Sequence, residues 1–346
     1  MIFQRKRTGD ALVEKFSGSL LGGMVGDIIG AAVEAESPGY IRKTFQSLDD
    51  ILALKTVPEI FTGEWEVGHF TDDTQMTLCV AEWLANDKAF DGKSLLERFA
   101  KAYEPWRHYA SGTRMILESF PSARDRWTEL ATAMFPQGSY GNGSAMRVAP
   151  VGLFLHNDLR AICETARVSS AVTHSHFLAV QGAALQATAV AAAVKGTPDT
   201  ADFIRMLLKA LAYFEGLGQD TSIYKKALGR IGQGIAQAIP ASKMAALLGN
   251  GIKAQEAVPM AIYCFLTNPN SFEKAVESAI FLGGDTDTIG SMAGAISGAA
   301  VGEKAIPERW IKRATETVYS PEKVRQIAAE LYSNGLARGF SGSSKP

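Results

Sequence analysis

The chain has 346 residues, 47% of them hydrophobic and 21% charged, with a formal net charge of −1. This is the balance of a folded globular protein, so a disordered chain is excluded, and either one large domain or two ordinary ones fit the length. A protein whose main partner is nucleic acid carries a basic excess, and the near-neutral charge argues against one.

The N-terminal MIFQRKRTGD lacks the apolar run of a secretion signal, and Arg5-Lys6-Arg7 reads as a solvated tail. Strand-forming residues are not gathered into alternating runs, and alanine, leucine, methionine and glutamate dominate. The expectation is therefore an all-α fold. The first helix spans 11–34 and carries Gly18, Gly22, Gly26 and Gly30 at every fourth position. Each interior glycine costs about 0.5–1 kcal/mol relative to alanine. Their spacing makes one smooth face that another helix can approach closely.

Helices follow at 72–85, 93–103, 159–171, 175–195 and 200–214, the last capped by Asp199 or Thr200. Further helices span 240–248, 253–266, 271–281 and 286–301, with Asn270 or Ser271 capping the third of these. The last spans 321–333, with Ser320 as cap and Pro321 at the first helical position. The helix at 286–301 repeats the glycine habit at Gly290, Gly294 and Gly298. Two glycine-faced helices packed at the centre account for these residues, but not for Asp27 and Glu34 in and at the end of an apolar helix. The stretch from Leu178 to Val194 is interrupted by Gln181 and Gln186, and is too polar and too short for a membrane span. Cys79, Cys163 and Cys264 show no CxxC or Cys/His pairing. They read as buried free thiols in a reducing, cytoplasmic setting.

Two acidic clusters carry the chemistry: Thr71-Asp72-Asp73-Thr74 and Asp285-Thr286-Asp287-Thr288. Each alone fits a helix N-terminus, where a threonine caps and aspartates meet the helix dipole favourably. Together they pair aspartates with hydroxyl neighbours at the entrances of apolar helices. Like charges crowded in a buried centre are costly unless a cation binds them. Few basic residues lie near in sequence, and Mg²⁺ or Mn²⁺ accept carboxylate, hydroxyl and water oxygens. Four aspartates suffice for two ions if one carboxylate bridges. Because the clusters lie far apart in the chain, their cooperation requires one domain. The expectation is a single domain over 1–346, with flexible tails at 1–10 and 337–346.

Thr173-His174-Ser175-His176 offers no third nitrogen or sulfur ligand for zinc. His174 reads equally as a phosphate or sugar contact and as a satisfied histidine at a helix cap. The segment Tyr140-Gly141-Asn142-Gly143-Ser144 lets backbone N–H groups approach an anion, but lacks the Lys-Ser/Thr ending of a P-loop.

The ordered set GMVGDIIGAAVE (23–34), FTDDTQM (70–76), YGNGSAMRVAPVGLF (140–154), THSH (173–176) and GGDTDTIGSMAGAISGA (283–299) strongly resembles the ADP-ribosylglycohydrolases. These are related to dinitrogenase reductase-activating glycohydrolase and the eukaryotic ADP-ribosylhydrolases. The resemblance runs from about residue 15 to about residue 315. It implies a compact, all-α, orthogonal helical bundle with two divalent ions, Mg²⁺ or Mn²⁺, in a cleft. Thr71, Asp72 and Asp73 match the first set of metal ligands, and Asp285, Asp287 and Thr288 match the second. Glu34 matches the glutamate beside the metals that is tied to gating and catalysis. Tyr140, Gly141, Asn142, Gly143, Ser144 and His174 match the segments that hold ADP-ribose.

The expected activity is hydrolysis of the bond between ADP-ribose and an acceptor, foremost arginine on a protein, with a small-molecule conjugate as the other substrate class. Breaking a bond at the anomeric carbon calls for a base or proton shuttle, for which Glu34 and Asp285 are the candidates. The alternative is a member of the fold that binds ADP-ribose without turnover. Isoprenoid chemistry ranks low because Asp72-Asp73 is not part of a DDxxD motif. A metallophosphatase fits poorly because metal-spaced histidines are missing.

Overall fold

The computed structural model describes residues 2–54, 65–87, 89–196, 199–315 and 318–337, with side chains from Ala11 onward. Among these the regular structure is helical, and no strand longer than an isolated bridge is present. Helix α1 (Ile2–Ala31) leads into α2 (Pro38–Thr44) and α3 (Leu48–Leu52), which start on the caps Ser37 and Ser47. Next come α4 (Asp72–Asn86), α5 (Gly92–Ala102), α6 (Ser111–Ser119), α7 (Trp127–Ala133) and α8 (Ala149–Phe154). The middle of the chain forms α9 (Leu159–Ala171), α10 (Phe177–Ala193), α11 (Thr200–Glu215), α12 (Ser222–Ala236) and α13 (Ala241–Leu248). The last part forms α14 (Ala254–Thr267), α15 (Phe272–Ile280), α16 (Thr286–Val301), α17 (Glu308–Ile311) and α18 (Pro321–Ala337).

Every helix expected from the sequence is present, with Asp199 and Ser271 as the caps of α11 and α15. The reading missed α2, α3, α7, α8 and α17, each too short to show a period. It also missed α6 and α12, which lack a side-chain cap at their starts. The first helix begins nine residues earlier than expected and ends three earlier. Its stop is tertiary in origin: Ala35, at φ +63°, donates its N–H to the Gly284 carbonyl (3.0 Å). Glu34 therefore sits on a turn beyond α1. The tail expected at 337–346 lies, from residue 338, outside the described residues.

α1 and α16 pack at the centre with their backbones in contact. A Cβ on Gly26 would lie 2.1 Å from the Gly290 carbonyl oxygen, and one on Gly298 would lie 1.9 Å from that of Gly18. Only hydrogen fits at these positions, so the glycine periodicity is a packing code. Around this pair the apolar faces of the other helices form one core cluster that includes Leu21, Val80, Leu153, Ile262 and Ile296. The close approach also places the end of α1 against the start of α16, where Thr286 Oγ1 donates to the Gly30 carbonyl (2.7 Å). No helix among the described residues is long and apolar enough to cross a membrane.

Candidate active site

The N-termini of α4 and α16 meet at the bottom of a cavity of about 440 Å³. Asp72 and Asp73 occupy the first turn of α4, Asp285 is the N-cap of α16, and Asp287 and Thr288 follow in its first turn. Both helix dipoles thus point their positive ends at the same acidic floor. The two clusters touch directly, since Thr288 Oγ1 donates to Asp73 Oδ2 (3.2 Å). Gly283 and Gly284, at φ +65° and +78°, make the turn that carries the chain into α16.

Asp27 explains how the first cluster is held. It is buried within α1 and accepts from the backbone N–H and hydroxyl of both Thr71 and Thr74, the hydroxyl bonds being 2.9 and 2.6 Å. Thr71 Oγ1 in turn caps α4 by accepting from the Asp73 N–H. Thr71 is accordingly tied beneath the floor, while Asp72, Asp73, Asp285, Asp287 and Thr288 line the cavity.

Burial pushes the Asp72, Asp73 and Asp287 carboxyls well above the usual carboxylate range, and neighbouring carboxylates push them further. Burial raises Asp27 and Asp285 to about 6 against the hydrogen bonds they accept. Five acids line the cavity, Glu34 with the four aspartates, and they cannot all ionise there without a counter-charge. Asp73 Oδ1 is fully buried with no hydrogen-bond donor among the described residues.

Glu34 lines the cavity, and its Oε2 lies 3.0 Å from His108 Nδ1. The hydrogen bond to Glu34 raises the His108 pKa above its ordinary value. His108 has φ +63°, a conformation that costs a non-glycine residue energy and is found at functional sites. Nothing in the sequence pointed to His108, a lone histidine in the unpatterned segment between α5 and α6. Arg147 is another residue the sequence reading left without a role. It is fully buried, and its field favours the ionised form of Asp72. Basic residues are thus closer to the acids in space than they are in sequence.

The expected glycine loop forms one wall of the cavity, whose lining also includes residues of α6 and α7. Its shape is set by pairing with the segment before α14: Asn142 N–H donates to the Ile252 carbonyl (2.9 Å), and Ala254 N–H to that of Tyr140 (3.0 Å). Asn142 Nδ2 reaches down and donates to Asp285 Oδ2, joining wall to floor. Gly141, Asn142, Gly143 and His174 face the cavity. Tyr140 and Ser144 do not line it. Tyr140 stands half-exposed, edge-on to the His176 ring at 5.6 Å, and Ser144 is buried under the loop against the Ala179 carbonyl. His176, not His174, is the helix cap, accepting from the Leu178 N–H. Burial, reinforced by the Arg147 charge, lowers the His174 pKa to about 3, so its ring is neutral.

A model of the ADP-ribosylglycohydrolase family matches residues 8–339. ADP-ribosylhydrolase ARH3 of Homo sapiens is 34% identical over 323 residues, covering 86% of this chain and 88% of that protein. ADP-ribosylarginine hydrolase Tri1 of Pseudomonas putida (strain GB-1) is 24% identical, covering 94% of this chain and 80% of that protein. Among solved structures, an ADP-ribosylglycohydrolase-related protein complex shares the fold, with a TM-score of 0.68 at 24% identity. That likeness covers 94% of this chain and 99% of that one. The ordered motifs, the all-α fold and the length of the match agree: the chain belongs to the ADP-ribosylglycohydrolase family and is an ADP-ribosyl glycohydrolase.

Proposed function

We propose that the chain hydrolyses the glycosidic bond between ADP-ribose and arginine on a protein, with two divalent ions, Mg²⁺ or Mn²⁺, at the floor of the cleft. The observation that carries this reading is the convergence of Asp72, Asp73, Asp285 and Asp287 under one cavity, with Asp73 Oδ1 buried and lacking a donor. The donor set fits such ions, because it consists of carboxylates and a hydroxyl, oxygen throughout. Asp72 and Asp73 would hold one ion, with Thr71 bracing them from beneath through Asp27, and Asp285, Asp287 and Thr288 the other. When bound, ions of this kind supply Lewis-acid polarisation and orientation of ribose hydroxyls.

The protein's own groups divide the remaining work. Both candidates line the cavity with one oxygen in a hydrogen bond, Glu34 to His108 and Asp285 to Asn142, and we assign the base to Glu34 because Asp285 stands in the set that would hold an ion. Glu34 takes the proton of the attacking water as the anomeric carbon gains oxocarbenium character. Gly141 and Gly143 offer backbone at close range to ADP-ribose, and His174 offers a neutral ring. Tyr140 contacts the ligand from the rim, and Ser144 supports the loop from below. The acidic floor and the glycine wall lie on one core, which supports a single domain. The three cysteines are free and buried, which suits a reducing cytoplasm.

Arginine as acceptor is supported by the likeness to the Pseudomonas relative, an ADP-ribosylarginine hydrolase. Purified protein with Mg²⁺ or Mn²⁺ is therefore offered arginine-linked and serine-linked ADP-ribosyl proteins side by side. Release of ADP-ribose from the arginine conjugate supports the whole reading. Release from the serine conjugate alone overturns the acceptor and keeps the metal site. Tight ADP-ribose binding with no turnover of any conjugate overturns the hydrolase.

A further inference from the structure

Arg147 presents a problem that the acidic floor does not solve. Its side chain is fully buried, and its partners are a carbonyl, a hydroxyl, a thioether and an aromatic face, none of them a carboxylate. Nη2 donates to the Ser169 carbonyl (2.7 Å) and to Thr173 Oγ1 (2.9 Å). Nη1 lies 3.8 Å from Met76 Sδ, and the guanidinium sits 4.7 Å from the centre of the Phe99 ring. A buried cation with no hydrogen-bonded carboxylate, and only the field of Asp72 to favour it, is costly, so its position needs a return.

Thr173 Oγ1 shows what the return is. A guanidinium only donates, so the oxygen of Thr173 accepts from Arg147. Polarised by that charge, the hydroxyl is the better donor of the next contact, which assigns its proton to His174 Nδ1, 2.7 Å away. A neutral imidazole whose Nδ1 accepts carries its proton on Nε2. The Nε2 edge of His174 is the one beside the glycine wall. A Cβ on Gly143 would lie 2.9 Å from Nε2, and one on Gly141 would lie 3.4 Å away. Glycine at both positions keeps that edge open to the cavity. The backbone of His174 is pinned as well, its N–H donating to the Ser170 carbonyl (2.7 Å) and its carbonyl accepting from Ser170 Oγ (3.0 Å).

We propose that Arg147 and Thr173 are positioning residues that lock His174 as the Nε2–H tautomer, so that it meets the substrate only as a hydrogen-bond donor to an oxygen atom. The ring is then neither an acid–base group nor a metal ligand. This deepens the reading that His174 touches ADP-ribose, and it rests on that reading for the identity of the ligand.

The test uses the full chain with Mg²⁺ and ¹⁵N-labelled histidine. Two-bond proton–nitrogen spectra report the tautomer, and a His174→Gln variant assigns the signal. The expected result is an Nε2–H ring in the wild type and in Thr173→Ser, and a mixture of tautomers in Thr173→Val. The Val variant is nearly isosteric, and Thr173→Ser restores the hydroxyl, so a folding defect is told apart from a lost relay. Losing one directed hydrogen bond should weaken ADP-ribose binding and raise KM by about 10-fold in Thr173→Val, with kcat within about 3-fold. Thr173→Ser should stay within about 2-fold of the wild type.

An Nδ1–H ring in the wild type, or an unchanged tautomer and unchanged affinity in Thr173→Val, overturns the proposal. A changed tautomer with unchanged ADP-ribose affinity overturns its second half, that His174 donates to the ligand. If no conjugate is hydrolysed at all, the tautomer and the ADP-ribose affinity still decide the relay. Failure of the hydrolase reading is thereby separate from failure of this one.

Discussion

At the floor of the cleft, four buried aspartates crowd around one another, and Asp73 Oδ1 has no donor among the described residues. On the wall, His174 is tied through Thr173 to Arg147, and the glycine loop is stitched to the segment before α14. The floor is thus a set of crowded acids whose mutual repulsion the protein's own groups leave largely uncompensated. The wall is held mostly by hydrogen bonds between protein atoms, with Arg147 Nε and Ser169 Oγ buried without a partner among the described residues. Ligand binding energy on the wall therefore goes into contact rather than reorganisation, while on the floor a cation offsets repulsion that the fold tolerates.

The contrast fails most visibly if the floor proves dispensable. Asp73→Ala and Asp285→Ala should each reduce turnover by on the order of 1,000-fold or more, because each removes charge that faces the reacting sugar. Titration calorimetry with Mn²⁺ should show the loss of at least one site in each variant. Retained turnover in both variants would remove the floor from the chemistry altogether.

Asn142 joins the two regions, and its removal tests whether they are separable. Asn142→Ala should weaken metal affinity by about 10- to 100-fold, the usual cost of losing a partner that orients a ligand. The thermal stability of the metal-free protein should fall little. On the wall proper, His174→Gln should raise KM about 10-fold while metal affinity stays at the wild-type value. Equal losses of metal affinity in both variants would mean that floor and wall form one unit.

Much of this was legible in the sequence, and the rest was not for identifiable reasons. α16 was readable end to end because Gly283 and Gly284 stop what precedes it and Gly302, at φ +83°, follows its last residue. The end of α1 was unreadable because Ala31-Ala32-Val33 continues the apolar run, and the stop comes from Gly284 far along the chain. The aspartates announced themselves by crowding. Asp27 showed only as a charge out of place, its meaning supplied by Thr71 and Thr74. His108 belongs to a loop without periodicity, and its contact with Glu34 exists only in the fold. The relay from Arg147 to His174 lay within quoted motifs, but its direction depends on hydrogen bonds that no spacing encodes.

The smallest expected effect is also the most direct comparison of the two regions, the pH dependence of stability without metal. Asp27 and Asp285 titrate at about 6 in the fold, and Asp72, Asp73 and Asp287 are also raised. In the unfolded chain these carboxyls titrate near ~4. The folded state therefore holds protons more tightly than the unfolded state. The stability this contributes is fully present below about pH 4 and is lost as pH rises through about 6. In chelator, Tm should fall by several degrees between about pH 5 and about pH 7.5. Asp73→Asn removes one of the raised acids and should flatten the slope. Saturating Mg²⁺ should raise Tm most at the high-pH end, because the cation takes the place of the protons it displaces. His174→Gln should steepen the fall, since the ring is neutral in the fold but titrates near ~6.5 in the unfolded chain, and its opposing rise of stability with pH is lost. A flat Tm in chelator would mean that groups such as Arg147 already neutralise the floor, and the difference between floor and wall would disappear.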